Sequence, residues 1–427
     1  MSITLSRFEL VPGVGLTCIT TTKFKTECMT INILDSLNQE HASHNALLPN
    51  ILCRGSKNHP NMYSISAALD DLFGAAIGPV IRKSGELQST GIYADFPDSR
   101  FLPSDENTFN KTLHLLFEIL LNPALNDDFF ITEYFEGEKK NLIDDINSII
   151  NNKRAYAQKQ LVKAMCAKEA YSVGRLGSEE DVEKITQPSL IKRYSDLIGD
   201  SLIEIFYCGS KAPEQVKSVL NSIAPKLPAR KQTQKPLTTF NLRPTHNHHP
   251  QRVTEEADTN QGRLCIGFRF CKPVLQYNYS ALGLFNALYG GGVMSKLFVN
   301  LREKQALCYD VSSSVDKQKG LLFVSMGVDE ANFEHAENEI YKHLDNMKSG
   351  LISEEELVFA KKTAETSVVS AFDRLGSLES IYFDSTVSHN SYNPQELIHD
   401  FHSCGLEEIV KVASDIKVDA VFTLKPR

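Results

Sequence analysis

Tryptophan is missing from all 427 residues, an absence that excludes no fold. Other absences exclude more. No run of about 18 apolar residues occurs, so the sequence offers no membrane-spanning helix. The segment Met1-Ser-Ile-Thr-Leu-Ser-Arg7 lacks a charged start followed by an apolar stretch and a small-residue cleavage site, so no secretory signal is expected. Nine cysteines, at 18, 28, 53, 166, 208, 265, 271, 308 and 404, never fall in a CxxC spacing. That scatter fits reduced thiols in the cytoplasm better than a zinc ribbon or a disulfide framework. A basic surplus is lacking too. With 45 Lys and Arg against 53 Asp and Glu the net charge is −8, which argues against a nucleic-acid partner. What is present, 42% apolar and 23% charged residues, is enough for packed cores. At roughly 100–200 residues per domain, the length implies two or more domains.

A polar, proline-bearing stretch without periodicity, residues 226–260, is the clearest linker, and it separates a domain at 1–225 from one at 261–427. The two halves share an order of elements. The first shows a strand at Cys28–Leu34, helical patterns at Ala46–Cys53 and Tyr63–Phe73, strands at Ile77–Arg82 and Gln88–Phe96, and a helix at Asn107–Leu121. The second shows a strand at Arg263–Phe270, helices at Ser280–Tyr289 and Met294–Glu303, strands at Cys308–Ser314 and Leu321–Val328, and a helix at Phe333–Met347. Each half closes with a helical segment before a strand, Leu202–Tyr207 in one and Ala420–Leu424 in the other. This order reads as an internal duplication, the alternative being coincidence between two ordinary α/β stretches. The expected fold is α+β: two homologous domains, each a mixed, largely antiparallel sheet with helices packed on one face. A long polar run, Asp128–Ala167, carries apolar residues at Phe135, Leu142, Ile146, Ile149 and Ile150 and predicts one or two helices across the first sheet.

Gly290-Gly-Gly-Val-Met-Ser-Lys-Leu-Phe-Val-Asn-Leu-Arg-Glu-Lys-Gln-Ala-Leu-Cys-Tyr309 resembles the C-terminal-domain signature of the pitrilysin and insulinase family of zinc peptidases. Ile352-Ser-Glu-Glu-Glu-Leu, Gln261-Gly-Arg-Leu-Cys-Ile-Gly-Phe, Leu120-Leu-Asn-Pro-Ala-Leu and Tyr171-Ser-Val-Gly-Arg-Leu-Gly-Ser extend the resemblance over nearly the whole chain.

The family's N-terminal domain carries HxxEH on a helix, with Gly-Thr or Gly-Ser five residues later. Histidines at i and i+4 share one helix face and hold one Zn²⁺, and the Glu between them serves as general base. Counting back from Gly55-Ser56 sets this motif on Ala46-Leu-Leu-Pro-Asn50. Ala46 and Asn50 stand at the histidine positions and Pro49 at the base, while the distant ligand falls near Asp144 or Asp145. Alanine and proline offer no ligand atom, so the resemblance implies a non-catalytic member that holds no cofactor, zinc being expected only in a partner. It further implies a zinc-bearing homologue as partner, or else a homodimer, with Arg302 and Tyr309 reaching a peptide substrate in the partner's site. No nucleic acid and no membrane enter this reading. Two competing readings stand beside it: a peptide-binding or scaffold protein with no part in hydrolysis, Arg302 and Tyr309 being structural, and a self-sufficient peptidase with a non-standard metal site.

Other constellations read as bland. His335, Glu339 and His343 recur at helical spacing but share their helix with Glu334, Glu337, Lys342 and Asp345, which suggests a solvated face. Glu40-His-Ala-Ser-His44 falls where a loop should enter a helix, and His246, His248 and His249 belong to the linker. Gly290-Gly-Gly292 lacks the Lys-Ser/Thr of a phosphate loop and suggests a flexible turn.

Overall fold

A computed structural model describes residues 3–103, 107–223, 226–227, 230, 249–388 and 393–427. Strands β1 (Thr4–Val11), β2 (Val14–Thr20) and β3 (Thr26–Ser36) open the chain, followed by helices α1 (Gln39–Leu52) and α2 (Met62–Asp70). Then come β4 (Ala76–Ser84), β5 (Leu87–Pro97) and α3 (Thr108–Leu121). Two-residue strands β6 (Leu125–Asn126) and β7 (Phe129–Phe130) lead into α4 (Thr132–Ser148) and α5 (Lys153–Met165). The first half ends with α6 (Glu179–Glu183), α7 (Gln187–Asp200), β8 (Leu202–Gly209) and α8 (Pro213–Ile223).

The second half runs β9 (Gln251–Ala257), β10 (Arg263–Phe270), α9 (Tyr279–Tyr289), a π-helical turn at Phe298–Lys304, β11 (Asp310–Asp316) and β12 (Leu321–Gly327). It continues through α10 (Phe333–Lys348), α11 (Glu354–Phe372), α12 (Leu375–Ser388), α13 (Pro394–Ser403) and α14 (Leu406–Ser414) to β13 (Ile416–Pro426). Helix starts follow the caps in the sequence. Asn38 accepts from the amide of His41 at 2.8 Å, while Thr186 with Ser189 and Ser353 with Glu356 form capping boxes.

The sheets carry the duplication. The first has the order β1-β2-β8-β3-β5-β4 and the second β11-β12-β10-β13-β9. Read inward from β2 and from β9, both begin with one parallel pair, β2 with β8 and β9 with β13, and every later pairing is antiparallel. Five strands thus correspond one to one, with β1 an addition. On β3, Met29, Ile31 and Ile33 alternate into a core they share with Leu47 and Leu48 of α1 and Leu113 and Leu116 of α3. The second sheet repeats the plan with Leu264, Ile266 and Phe268 against Leu284, Phe285 and Ile340.

The compact units differ from the continuous halves at 1–225 and 261–427. One unit comprises residues 1–147, 173–237 and 374–389, the other 148–172, 238–373 and 390–427. Each unit therefore borrows one helix from the opposite half. In the second, Ala157, Leu161 and Met165 of α5 cover the sheet face formed by Cys265, Phe323, Ala420 and Phe422. In the first, α12 covers the corresponding face, with Phe383 against Phe206 at 5.9 Å between ring centroids. The long polar run at 128–167 is accordingly two helices, and the second lies on the sheet of the other half. Asn152 makes the break, its side chain capping α5 at the amide of Ala155, 3.0 Å away.

Most of the stretch 226–260 lies outside the described residues, with His246 and His248. Its end is structured: β9 pairs in parallel with β13, an edge position that asks for little apolar patterning. No described helix is long and apolar enough to cross a membrane.

Candidate functional site

Ala46 sits in the middle of α1 with no exposed surface, flanked by buried Leu47 and Leu48. Pro49 lies inside the same helix and has no amide to offer the carbonyl of Asn45, one turn earlier. The Thr90 hydroxyl on β5 donates to that carbonyl instead, at 2.5 Å. Asn50 turns its side-chain amide back onto the Ala46 carbonyl at 2.9 Å. The segment is therefore built as helix and core, its polar atoms spent on its own backbone.

Around it stand carboxylates engaged elsewhere. Glu138, buried on α4, accepts from the Arg54 guanidinium and from Asn141 at 3.3 Å. Asp144 and Asp145 lie one helix turn and more beyond it, on the exposed side of α4. The donor set does not fit a zinc ion, since Ala46 and Pro49 have no ligand atom and the Asn50 amide is turned to the backbone. Among the described residues, no three His, Cys, Asp or Glu side chains gather as a metal site would require.

The Gly55-Ser56 pair that locates this segment has structural work of its own. A Cβ on Gly55 would lie 2.6 Å from the Pro60 carbonyl oxygen. Ser56 and the Asn58 amide donate to Glu118, which also meets His59 Nδ1 at 3.1 Å. These hydrogen bonds outweigh burial and hold the Glu118 carboxyl below its ordinary range.

Arg302 and Tyr309 are brought together in the second unit. Arg302 projects from the π-helical turn, a wide turn in which the Gln305 amide reaches back five residues to the Asn300 carbonyl at 3.2 Å. Leu301 is fully buried and anchors the turn, and the Leu307 amide bonds its carbonyl at 2.8 Å. Ala306, at φ +48°, makes the left-handed bend that leads out to Tyr309. The Arg302 guanidinium lies over two rings, 4.6 Å from the Phe298 centroid and 5.8 Å from that of Tyr309. Tyr309 is 74% exposed, and its amide joins the Gly327 carbonyl at 3.3 Å. Asp310 beside it pairs with Arg263 on β10 at 2.7 Å, fixing where β11 begins. Cys308, half-buried between them, has its thiol pushed up to about 11 by burial.

Gln305 ties this turn to α10. It donates to Glu339 at 2.8 Å, and its carbonyl oxygen faces His335 Nε2 at 3.2 Å. Nothing in the motif signals this link, because its partners lie about thirty residues away. The face of α10 expected to be solvated is corrected here: His335 is exposed, but Glu337, Glu339 and His343 are buried. Burial lowers the His343 pKa, against an opposing pull from Glu339. The turn at Gly290-Gly-Gly292 is also tighter than flexibility would need. A Cβ on Gly290 would meet the Ser313 amide at 2.8 Å, and one on Gly291 the Asn286 carbonyl oxygen at 2.8 Å. Glu40 and His41 lie in the first turn of α1, and His44, one turn further, contacts the Ser189 hydroxyl at 3.1 Å.

Comparison with known proteins gives a consistent picture. Residues 184–364 match the family described as Peptidase M16 inactive domain. The chain is 29% identical over 414 residues, 96% of each sequence, to the probable inactive metalloprotease YmfF of Bacillus subtilis. Its structure is similar to that of a conserved protein from Enterococcus faecalis, with TM-score 0.90, 26% identity and 99% of both chains covered. It also has the fold of a peptidase M16 inactive domain from Pseudomonas fluorescens, with TM-score 0.79, 15% identity, and 99% and 98% of the chains covered.

Proposed function

We propose that the chain, which resembles the M16 family over residues 184–364, is a catalytically inactive subunit that pairs in the cytoplasm with a zinc-bearing homologue. It contributes chamber wall and the Arg302 and Tyr309 side chains to a peptide held at the partner's metal. On this reading the partner supplies the Lewis acid and the activated water, and this chain carries no cofactor. The segment Ala46–Asn50 is then the remnant of the zinc-binding motif.

The observation that carries the proposal is the stacked pair itself. Arg302 and Tyr309 are presented together on a braced turn, within a chain whose corresponding metal segment is core. Stacking between Phe298 and Tyr309 restricts the plane of the guanidinium before substrate arrives, which lowers the entropic cost of engaging a carbonyl. The Tyr309 hydroxyl is a donor suited to an oxyanion that develops during peptide attack.

The test is to purify the chain alone and with its zinc-bearing homologue. Alone it should hold no stoichiometric zinc and cleave no peptide. Mixed, the two should co-elute as a one-to-one complex and cleave peptides faster than the homologue by itself. A firmly bound equivalent of zinc in the isolated chain contradicts the reading. A complex that forms but leaves cleavage unchanged points to the scaffold function instead.

A further inference from the structure

On the sheet of the first unit, β3 and β8 run antiparallel with Cys28 directly opposite Cys208. Facing residues on antiparallel strands have Cα atoms about 4.5 or 5.5 Å apart. Both spacings lie within the range of roughly 4.4–6.8 Å that a disulfide spans. No other two cysteines face each other in the strand registers of the described residues. Both thiols are free and buried, 6% and 0% exposed.

Strand alternation settles which face they occupy. Met29 and Ile31 on β3, with Ile205 and Tyr207 on β8, point into the main core. Cys28 and Cys208 point the other way, beside Thr30 and Phe206, toward α12. That helix is seated by Glu379, which accepts from Thr30 at 2.6 Å and from both terminal nitrogens of Arg82 at 3.1 and 2.7 Å, and by Phe383 against Phe206.

We infer that Cys28 and Cys208 form a reversible dithiol–disulfide site for low-molecular-weight disulfides, reached when α12 lifts from the sheet. One cysteine thiolate attacks the S–S bond of the reagent, giving a mixed disulfide and releasing one small thiolate. The second cysteine loses its proton to solvent and attacks the sulfur of the first, closing the cross-strand bond and expelling the second small thiolate. Two protein thiols are oxidised and one small disulfide is reduced to two thiols. With α12 seated, the neighbouring Cys208 thiol and burial together raise the Cys28 thiol well above its ordinary range and the pair is inert. Its rate of oxidation therefore reports how firmly α12 is held.

The test treats the full-length chain with glutathione disulfide near neutral pH and follows peptides by non-reducing mass spectrometry. A linked Cys28–Cys208 peptide should accumulate, at least about tenfold faster in Glu379→Gln, where the Arg82 pair is weakened. Exposed Cys271 should form glutathione adducts at the same rate in both proteins. Cys28→Ser should lose the linked peptide and keep the circular dichroism of the parent. Should Glu379→Gln fail to fold, urea below the unfolding transition should accelerate linkage in the natural chain. No linked peptide after Cys271 is fully converted would overturn the site, and equal linkage rates under both perturbations would overturn the gating by α12.

Discussion

Pro49 removes one amide from the interior of α1, and Thr90 repairs the loss from across the sheet. Thr90→Val should leave the buried Asn45 carbonyl unpaired and lower stability by about 1–3 kcal/mol in urea titration. In a Pro49→Ala background the new amide serves that carbonyl, so the same substitution should cost clearly less. Equal losses in both backgrounds would sink this account of the segment. Rebuilding the motif with Ala46→His, Pro49→Glu and Asn50→His should not restore a metal site. Ala46 has no free surface, so overpacking should cost about 1–3 kcal/mol, and the Asp145 position lies on the exposed side of α4. Elemental analysis of the triple variant should find well under one equivalent of zinc. Arg302 and Tyr309 were legible in the sequence because a local motif spaces them. Thr90 and Gln305 were not, because their partners are far along the chain and side-chain pairing leaves no periodic trace.

At the scale of elements, α5 and α12 are the informative pieces. α5 shows Ala157, Leu161 and Met165 at intervals of four, enough to read a helix with one apolar face, but nothing local says which sheet that face covers. Its end is fixed by Arg269, which donates to Glu169 and to the Met165 carbonyl oxygen at 2.8 Å each, to Asp419 at 2.8 Å and to the Cys166 sulfur at 3.5 Å. Lys319 meets Glu169 from the other side at 2.7 Å. Hydrogen bonding and the two cations overcome burial and hold the Glu169 carboxyl below its ordinary range. A carboxyl depressed in the folded state gives its stability above the unfolded value, near 4.5, and loses it as pH falls through the lower folded value. Between about pH 5 and pH 3 the natural chain should therefore lose more stability than Glu169→Gln, measured by urea midpoints along the pH series. Parallel slopes would remove this cluster from the acid response. For α12, Phe383→Ala should cost about 3–5 kcal/mol, since the ring is 1% exposed and also carries the Arg82 guanidinium 4.8 Å from its centroid.

Over the whole molecule, the duplication read from the order of elements reappears as two sheets with one strand order and one parallel pair each. The edge strands β1 and β9 escaped the reading, since half-exposed strands carry weak apolar patterning, and so did buried β2. The exchange of helices between halves escaped it too, because the polar stretch suggested a division that the compact units do not follow. The central claim is that this chain assists a reaction whose metal belongs to its partner. Its most direct test is peptide cleavage by the complex with the zinc-bearing homologue, measured for Arg302→Ala and Tyr309→Phe at saturating association. Both substitutions should leave the complex intact and lower turnover, Arg302→Ala by about a hundredfold if it stabilises developing charge. Turnover unchanged in both variants, with the complex still formed, would contradict the claim.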